Sequence, residues 1–104
     1  MATRTKNIEE NVNRFINELR KKYRVQAAYI YGSHSRDNAT VWSDIDVAVI
    51  SPDFSEDLFA ERLKLMKIAA MIDDCIEPHP FRVEDFESSS PLTSEIKKYG
   101  ILIS

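Results

Sequence analysis

The stretch that decides the fold is DIDVAVI, residues 44–50, which predicts a buried β-strand. Its two aspartates, Asp44 and Asp46, are separated by an isoleucine, and the four residues that follow are all apolar. A short apolar run of this kind, bounded by turn residues, is typical of a strand inside a sheet. The segment Ser51-Pro52-Asp53 ends the strand. We therefore place a sheet at the centre of the protein.

Two more strands are predicted on either side of this one in sequence. Residues 25–31 are rich in β-branched and aromatic side chains and stop at Gly32. Residues 75–82 contain Pro78 and Pro80, which lack an N–H and, being two apart, disable the same edge of the strand. This third strand therefore either lies at a sheet edge or stops pairing after Glu77.

Apolar residues at helical spacing predict helices over residues 7–23 and 55–72. Ser90-Pro91 predicts the start of a short helix that ends at Gly100, followed by a short strand over residues 101–103. Residues 83–90 are predicted to form a polar loop. Strands separated by helices indicate an α/β (α+β) fold with a small sheet.

Composition bounds the class of protein. A chain of 104 residues fits one domain, residues 1–104. The net charge of −3 argues against direct binding of nucleic acid, which usually needs a basic face. The single cysteine excludes an internal disulfide, and no segment has the roughly 18 apolar residues of a membrane span. We expect a cytoplasmic protein.

Gly32 and Ser33 form a candidate anion site directly after the first strand. Glycine permits a tight turn and a close approach of backbone to ligand, and the N–H groups of a following helical turn would face a phosphate. Arg36 could add a charge-assisted contact. A plain turn explains Gly-Ser equally well when it is considered alone.

Asp44 and Asp46 form a candidate metal site. Two residues apart on a strand, their side chains project from the same face, where two carboxylates repel each other. A divalent cation such as Mg²⁺ removes this conflict, and it typically binds one or two protein carboxylates together with substrate phosphates. The alternative is a solvated strand end, although Asp46 leads directly into a strand that is predicted to be buried.

Glu77 is the candidate third carboxylate, because it is the acidic residue within the third strand. If that strand neighbours the second, Glu77 can face the aspartate pair. Two alternatives stay open: Glu77 is a surface residue of an edge strand, or Asp73 or Asp74 is the third ligand instead. His79, two residues after Glu77, receives no role.

Gly32-Ser33, ten intervening residues and then Asp44-Ile45-Asp46 together resemble the signature of the minimal nucleotidyltransferases, a branch of the DNA polymerase β-like superfamily. Arg36 and Ser43 fall where that family often has arginine and serine. The resemblance covers about residues 8–82. It implies the nucleotidyltransferase fold, a small mixed sheet flanked by helices.

The resemblance also implies an activity, the Mg²⁺-dependent transfer of a nucleoside monophosphate from ATP or another nucleoside triphosphate. The implied metal-binding and catalytic residues, with two Mg²⁺ ions, are Asp44, Asp46 and Glu77. The implied nucleotide-binding residues are Gly32, Ser33, Arg36 and Ser43. The sequence departs from the family pattern in two places: Asp37 follows Arg36 where glycine is common, and Glu77 stands where aspartate is frequent.

Minimal nucleotidyltransferases often pair with a helical toxin of the HEPN type, so the resemblance implies an antitoxin that adenylylates a hydroxyl of such a partner. A second hypothesis is a binding module that holds nucleotide and neutralises its partner stoichiometrically without turnover. A third is a small-molecule transferase, which usually carries an additional acceptor-binding region.

Overall fold

In the computed structural model the chain is described over residues 2–32, 45–88 and 90–103, and the side chains of the first helix from residue 8 onward. The helices of these ranges are α1 (Ala2–Leu19), α2 (Leu58–Ala70), α3 (Val83–Glu87) and α4 (Pro91–Tyr99). The strands are β1 (Ala27–Tyr31), β2 (Ile45–Ile50), β3 (Ile76–Phe81) and β4 (Ile101–Leu102). None of the helices described has the length and apolar character needed to cross a membrane.

The strands form one mixed sheet in the order β3-β2-β1-β4. Strand β1 is antiparallel to both β2 and β4, whereas β2 and β3 are parallel and are connected through α2. A parallel pair needs such a crossover, because the chain must return to the starting end of the sheet. The fold is therefore a mixed α+β arrangement with a four-strand sheet, which confirms the predicted fold class.

Two apolar layers sandwich the sheet, because alternate residues of each strand point to opposite faces. On one face, Val47 and Val49 of β2 pack with buried residues of α1 and α2, such as Phe15 and Leu65. On the other face, a smaller cluster is buried under α3 and α4; it comprises Tyr31, Ala48, Ile50, Phe86 and Ile96. The second face is the one on which Asp46 lies, since Asp46 is two residues before Ala48.

The prolines of β3 fit its place at the edge of the sheet, which was one of the two alternatives that the sequence left open. The carbonyl oxygens of Cys75 and Phe81 accept hydrogen bonds from the N–H groups of Ile45 and Ser51. Odd-numbered residues of β3 therefore face β2, and the even-numbered Pro78 and Pro80 direct their nitrogens away from it. Pairing continues through the last residue of β3 and does not stop at Glu77.

The bounds of two helices were predicted wrongly, and a third helix was missed. Helix α2 spans Leu58–Ala70, not residues 55–72. Helix α1 starts at residue 2 and ends at Leu19, not at Tyr23. Beyond the helix, the Tyr23 hydroxyl donates a hydrogen bond of 3.1 Å to the carboxylate of Glu61, a buried residue of α2. The segment predicted as a polar loop over residues 83–90 contains helix α3, whose Phe86 is buried against the rings of Tyr29 and Phe81.

Helix α4 begins and ends where the sequence predicted. The Ser90 hydroxyl accepts a hydrogen bond from the Thr93 N–H at 3.1 Å, the Thr93 hydroxyl accepts one from the Ser90 N–H, and Pro91 is the first helical residue. These reciprocal bonds satisfy N–H groups that a helix start otherwise leaves without partners. Gly100 follows the helix as expected, and the Gly100 N–H bonds to the Ile96 carbonyl.

Candidate active site

The candidate site lies at one end of the second sheet face, where Asp46 of β2 stands between two neighbours. Tyr31 of β1 pairs with Asp46 on one side, and Glu77 of β3 pairs with it on the other. Directly opposed residues of neighbouring strands project from the same face of a sheet. The register of the three strands therefore brings Tyr31, Asp46 and Glu77 into one row.

His79 belongs to the same site. It pairs with Ala48, one step along the face from the Asp46–Glu77 pair, and its Nε2 lies 3.3 Å from Oδ1 of Asp46. One ligand atom from each of Asp46, Glu77 and His79 can be chosen so that all three atoms lie within 4.8 Å of one another. The side chains of His79 and Asp46 are 28% and 30% exposed, so a ligand can reach them from solvent.

Gly32 allows the backbone of β1 to end close against the Asp46 carboxylate. Its φ of +75° lies in the left-handed region, which glycine adopts without steric cost. A Cβ atom at this position would lie 2.7 Å from Oδ2 of Asp46. Gly32 is therefore needed for the position of Asp46 as well as for the turn, a role that the sequence alone did not indicate.

Tyr31 closes the buried side of the site. Burial, followed by the negative charge of Asp46, raises the pKa of the Tyr31 hydroxyl far above its ordinary value. The Tyr31 ring packs edge-on against the His79 imidazole, with 5.7 Å between the ring centroids. The Tyr31 ring therefore covers one side of the imidazole.

The structure brings together three residues that sequence reasoning had placed in one site, Gly32, Asp46 and Glu77. Asp44 and the predicted nucleotide-binding residues Ser33, Arg36 and Ser43 lie outside the described residues.

The other candidates for the third carboxylate, Asp73 and Asp74, do not join this group. Asp73 accepts hydrogen bonds from the Asn11 side chain at 3.1 Å and from the Cys75 N–H at 2.9 Å, which gives it a structural role. Sequence reasoning assigned no role to His79. Its position two residues after Glu77, on the same face of the strand, was the available signal.

The donor set suits a divalent cation. Asp46 and Glu77 supply carboxylate oxygens, which Mg²⁺ prefers, and Mg²⁺ typically takes one or two carboxylates from a protein while substrate phosphates and water complete its shell. The partial exposure of Asp46 leaves room for that shell.

A family model described as a nucleotidyltransferase domain matches residues 12–103, which include every strand of the sheet. The chain belongs to the nucleotidyltransferase domain family. A protein of Methanocaldococcus jannaschii that is provisionally named a protein adenylyltransferase is 33% identical to this chain over 70 residues. The alignment covers 67% of this chain and 66% of that protein, just under two thirds of its length.

Solved structures share the fold of this chain. A crystal structure from Sulfolobus solfataricus, provisionally named a nucleotidyltransferase, superposes with a TM-score of 0.69 at 15% identity and covers 97% of this chain and 83% of that one. A toxin–antitoxin structure with AMP-PNP has a TM-score of 0.66 at 23% identity, covering 92% of this chain and 72% of that one. A mutant of the toxin–antitoxin pair MntA–HpeT has a TM-score of 0.62 at 23% identity, covering 88% and 70% respectively. At these identities the likeness establishes the fold.

Proposed function

We propose that this nucleotidyltransferase transfers AMP from ATP to a hydroxyl group of a partner protein, with Mg²⁺ as the cofactor. The observation that carries the proposal is the alignment of Asp46 with Glu77 on the accessible end of the second sheet face. The name of the Methanocaldococcus relative supports a protein as acceptor, and the AMP-PNP in one of the toxin–antitoxin structures supports an adenine nucleotide as donor.

Each candidate residue has a proposed role in this reaction. Asp44, Asp46 and Glu77 would hold two Mg²⁺ ions, and these ions would supply the positive charge that polarises the α-phosphate and neutralises the leaving pyrophosphate. The residues proposed to bind the triphosphate are Gly32, Ser33, Arg36 and Ser43.

The reaction exchanges one bond at the α-phosphorus for another. The acceptor oxygen forms a bond to this phosphorus as the bond to the β-phosphate oxygen breaks. Pyrophosphate leaves, and the proton of the acceptor hydroxyl passes to Glu77 or to solvent.

A helical toxin of the HEPN type is the proposed acceptor. Two of the structures that share the fold are toxin–antitoxin pairs. The net charge of −3 also suits a basic partner that acts on RNA, because complementary charge speeds association and selects the partner. We further propose that both proteins act in the cytoplasm.

Transfer is tested by incubating the protein with α-labelled ATP, Mg²⁺ and the protein encoded by the neighbouring reading frame. We expect label on the partner, and its loss with Asp44→Asn and with Asp46→Asn. Asp74→Asn is the matched control, since Asp74 is exposed and lies outside the carboxylate cluster. No transfer from any nucleoside triphosphate would contradict the proposal.

The same variants separate catalysis from stoichiometric neutralisation. If Asp46→Asn still forms the complex but no longer neutralises the toxin, transfer of the nucleotide is what neutralises it. If the variant neutralises as well as the native protein, the chain acts as a binding module.

A further inference from the structure

Among the residues that the structure describes, His79 supplies a ring nitrogen beside the carboxylates of the site. Its Nε2 faces Oδ1 of Asp46 at 3.3 Å, and it lies in the group whose ligand atoms are within 4.8 Å of one another. This spacing is short enough for a single cation to contact all three side chains after small rotations.

The imidazole is held in place before any metal binds. His79 stands between Pro78 and Pro80, whose rings fix the backbone angle φ on either side, and it lies within the paired part of β3. The Tyr31 ring packs edge-on against the imidazole and restricts its rotation on the buried side. Sites whose ligands are locked by packing bind with less loss of conformational entropy.

We infer that His79 is a metal ligand together with Asp46 and Glu77. The inference rests on the proposed function, because it concerns the same metal site. Carboxylate oxygens suit Mg²⁺, whereas an imidazole nitrogen favours later transition metals. The imidazole nitrogen therefore increases the preference of this site for Co²⁺ over Mg²⁺ beyond what its carboxylates alone would give.

The alternative role for His79 is to position Asp46 by a hydrogen bond without touching the metal. The two roles differ in their signatures. A ligand places its nitrogen in the coordination shell, and its loss weakens Co²⁺ binding much more than Mg²⁺ binding. A positioning residue places no nitrogen in the coordination shell, and its loss weakens the binding of Co²⁺ and of Mg²⁺ equally.

The test uses the full chain with each metal alone, without nucleotide. Electron spin echo modulation of bound Mn²⁺ reports whether a ¹⁴N nucleus is coordinated, and calorimetry gives the affinities for Co²⁺ and Mg²⁺. We expect nitrogen modulation in the native protein and its loss in His79→Gln. Co²⁺ affinity should fall by at least about tenfold, because the loss of a residue that merely supports a metal ligand already costs about that much. Mg²⁺ affinity should change far less.

Matched variants keep the result interpretable. His34→Gln removes the one other histidine of the chain, so nitrogen modulation that persists in it belongs to His79 even if His79→Gln fails to fold. Modulation that survives in His79→Gln, modulation lost in His34→Gln, or equal losses of Co²⁺ and Mg²⁺ affinity would each overturn the inference. So would a native protein that binds none of these metals.

The outcome is distinguishable from that of the transfer assay. Mn²⁺ bound through Asp46 without nitrogen modulation refutes the role of His79 and leaves the proposed function standing. Nitrogen modulation in a protein that transfers no nucleotide supports His79 as a ligand and contradicts the proposed function.

Discussion

Replacing Gly32 with alanine should damage the proposed metal site more than it damages the fold. The substitution has two separate effects. It places a side chain on a residue whose φ is +75°, and it places a Cβ atom 2.7 Å from Oδ2 of Asp46. The first effect concerns the stability of the whole domain, and the second concerns the position of one carboxylate.

The two magnitudes follow from the geometry. A non-glycine residue in the left-handed region costs about 1–2 kcal/mol. Each kcal/mol lowers the melting temperature of a domain of this size by about 4–8 °C. Ordinary contact begins at 3.4 Å, so the carboxylate oxygen must move by about 0.7 Å, the difference between 3.4 and 2.7 Å. A binding constellation tolerates displacements of only about 0.5 Å, so we expect Mn²⁺ affinity to fall by roughly tenfold or more.

The assay combines thermal unfolding by circular dichroism with a Mn²⁺ titration followed by electron paramagnetic resonance. Gly32→Asn separates the two effects, because asparagine tolerates the left-handed region better but carries the same Cβ. We expect a smaller loss of melting temperature and an equal loss of Mn²⁺ affinity. Gly100→Ala is the control at the other glycine, where the new Cβ would collide with the Ile96 carbonyl oxygen. It should destabilise the fold and leave Mn²⁺ affinity intact. Unchanged Mn²⁺ affinity in folded Gly32→Ala would refute the reasoning.

Three further substitutions test other parts of the structure. Glu61→Gln should lower the free energy of unfolding by about 1–3 kcal/mol at neutral pH, because the buried carboxylate accepts charge-assisted hydrogen bonds from the Ser55 N–H and the Tyr23 hydroxyl. Burial alone would raise the pKa of Glu61, but these hydrogen bonds and the charge of Lys64 outweigh burial and lower that pKa. The ionised carboxylate therefore stabilises the fold fully above the unfolded-state pKa of about 4.3. This stabilisation is lost as the pH falls through the folded-state pKa. Urea unfolding of both proteins across this range should show the difference shrinking with acidity; a constant difference would contradict it. Phe86→Ala should cost about 3–5 kcal/mol in urea unfolding without changing the Mn²⁺ affinity of the folded fraction, because this buried ring contacts Tyr29 and Phe81, which lie further along their strands than the residues paired with Asp46. Glu77→Gln should do the reverse, keeping the melting temperature and weakening Mn²⁺ binding by at least about tenfold.

Local patterns were sufficient to predict most elements of the fold. The three longer strands appeared within one or two residues of their predicted positions, since apolar runs bounded by turn residues leave few alternatives. Helix α4 was predicted by Ser90, Pro91 and Gly100, each of which acts within one turn of the chain. Helix α3 was missed because its five residues hold a single large apolar anchor, and the partners of that ring come from two distant strands.

The candidate site was only partly predictable for the same reason. The sequence marked Asp46 and Glu77 as carboxylates on strands, but only the parallel register of β2 and β3 aligns them. The sequence shows His79 two residues after Glu77, but its place beside Asp46 depends on the pairing of β3 with β2. The dependence of Asp46 on Gly32 is a contact across two strands, and no spacing in the chain encodes it.

The outward-facing prolines of β3 also restrict how this protein can meet another chain. Pro78 and Pro80 leave the outer side of the edge strand without the N–H donors that an added strand would need. Growth of the sheet past β3 by strand addition is therefore blocked, and so is the edge-to-edge aggregation that begins in this way. Asp46 lies on the strand next to this edge and Glu77 lies on the edge strand itself. The proposed protein acceptor would therefore present its hydroxyl through side-chain contacts and would not bind as an extra strand.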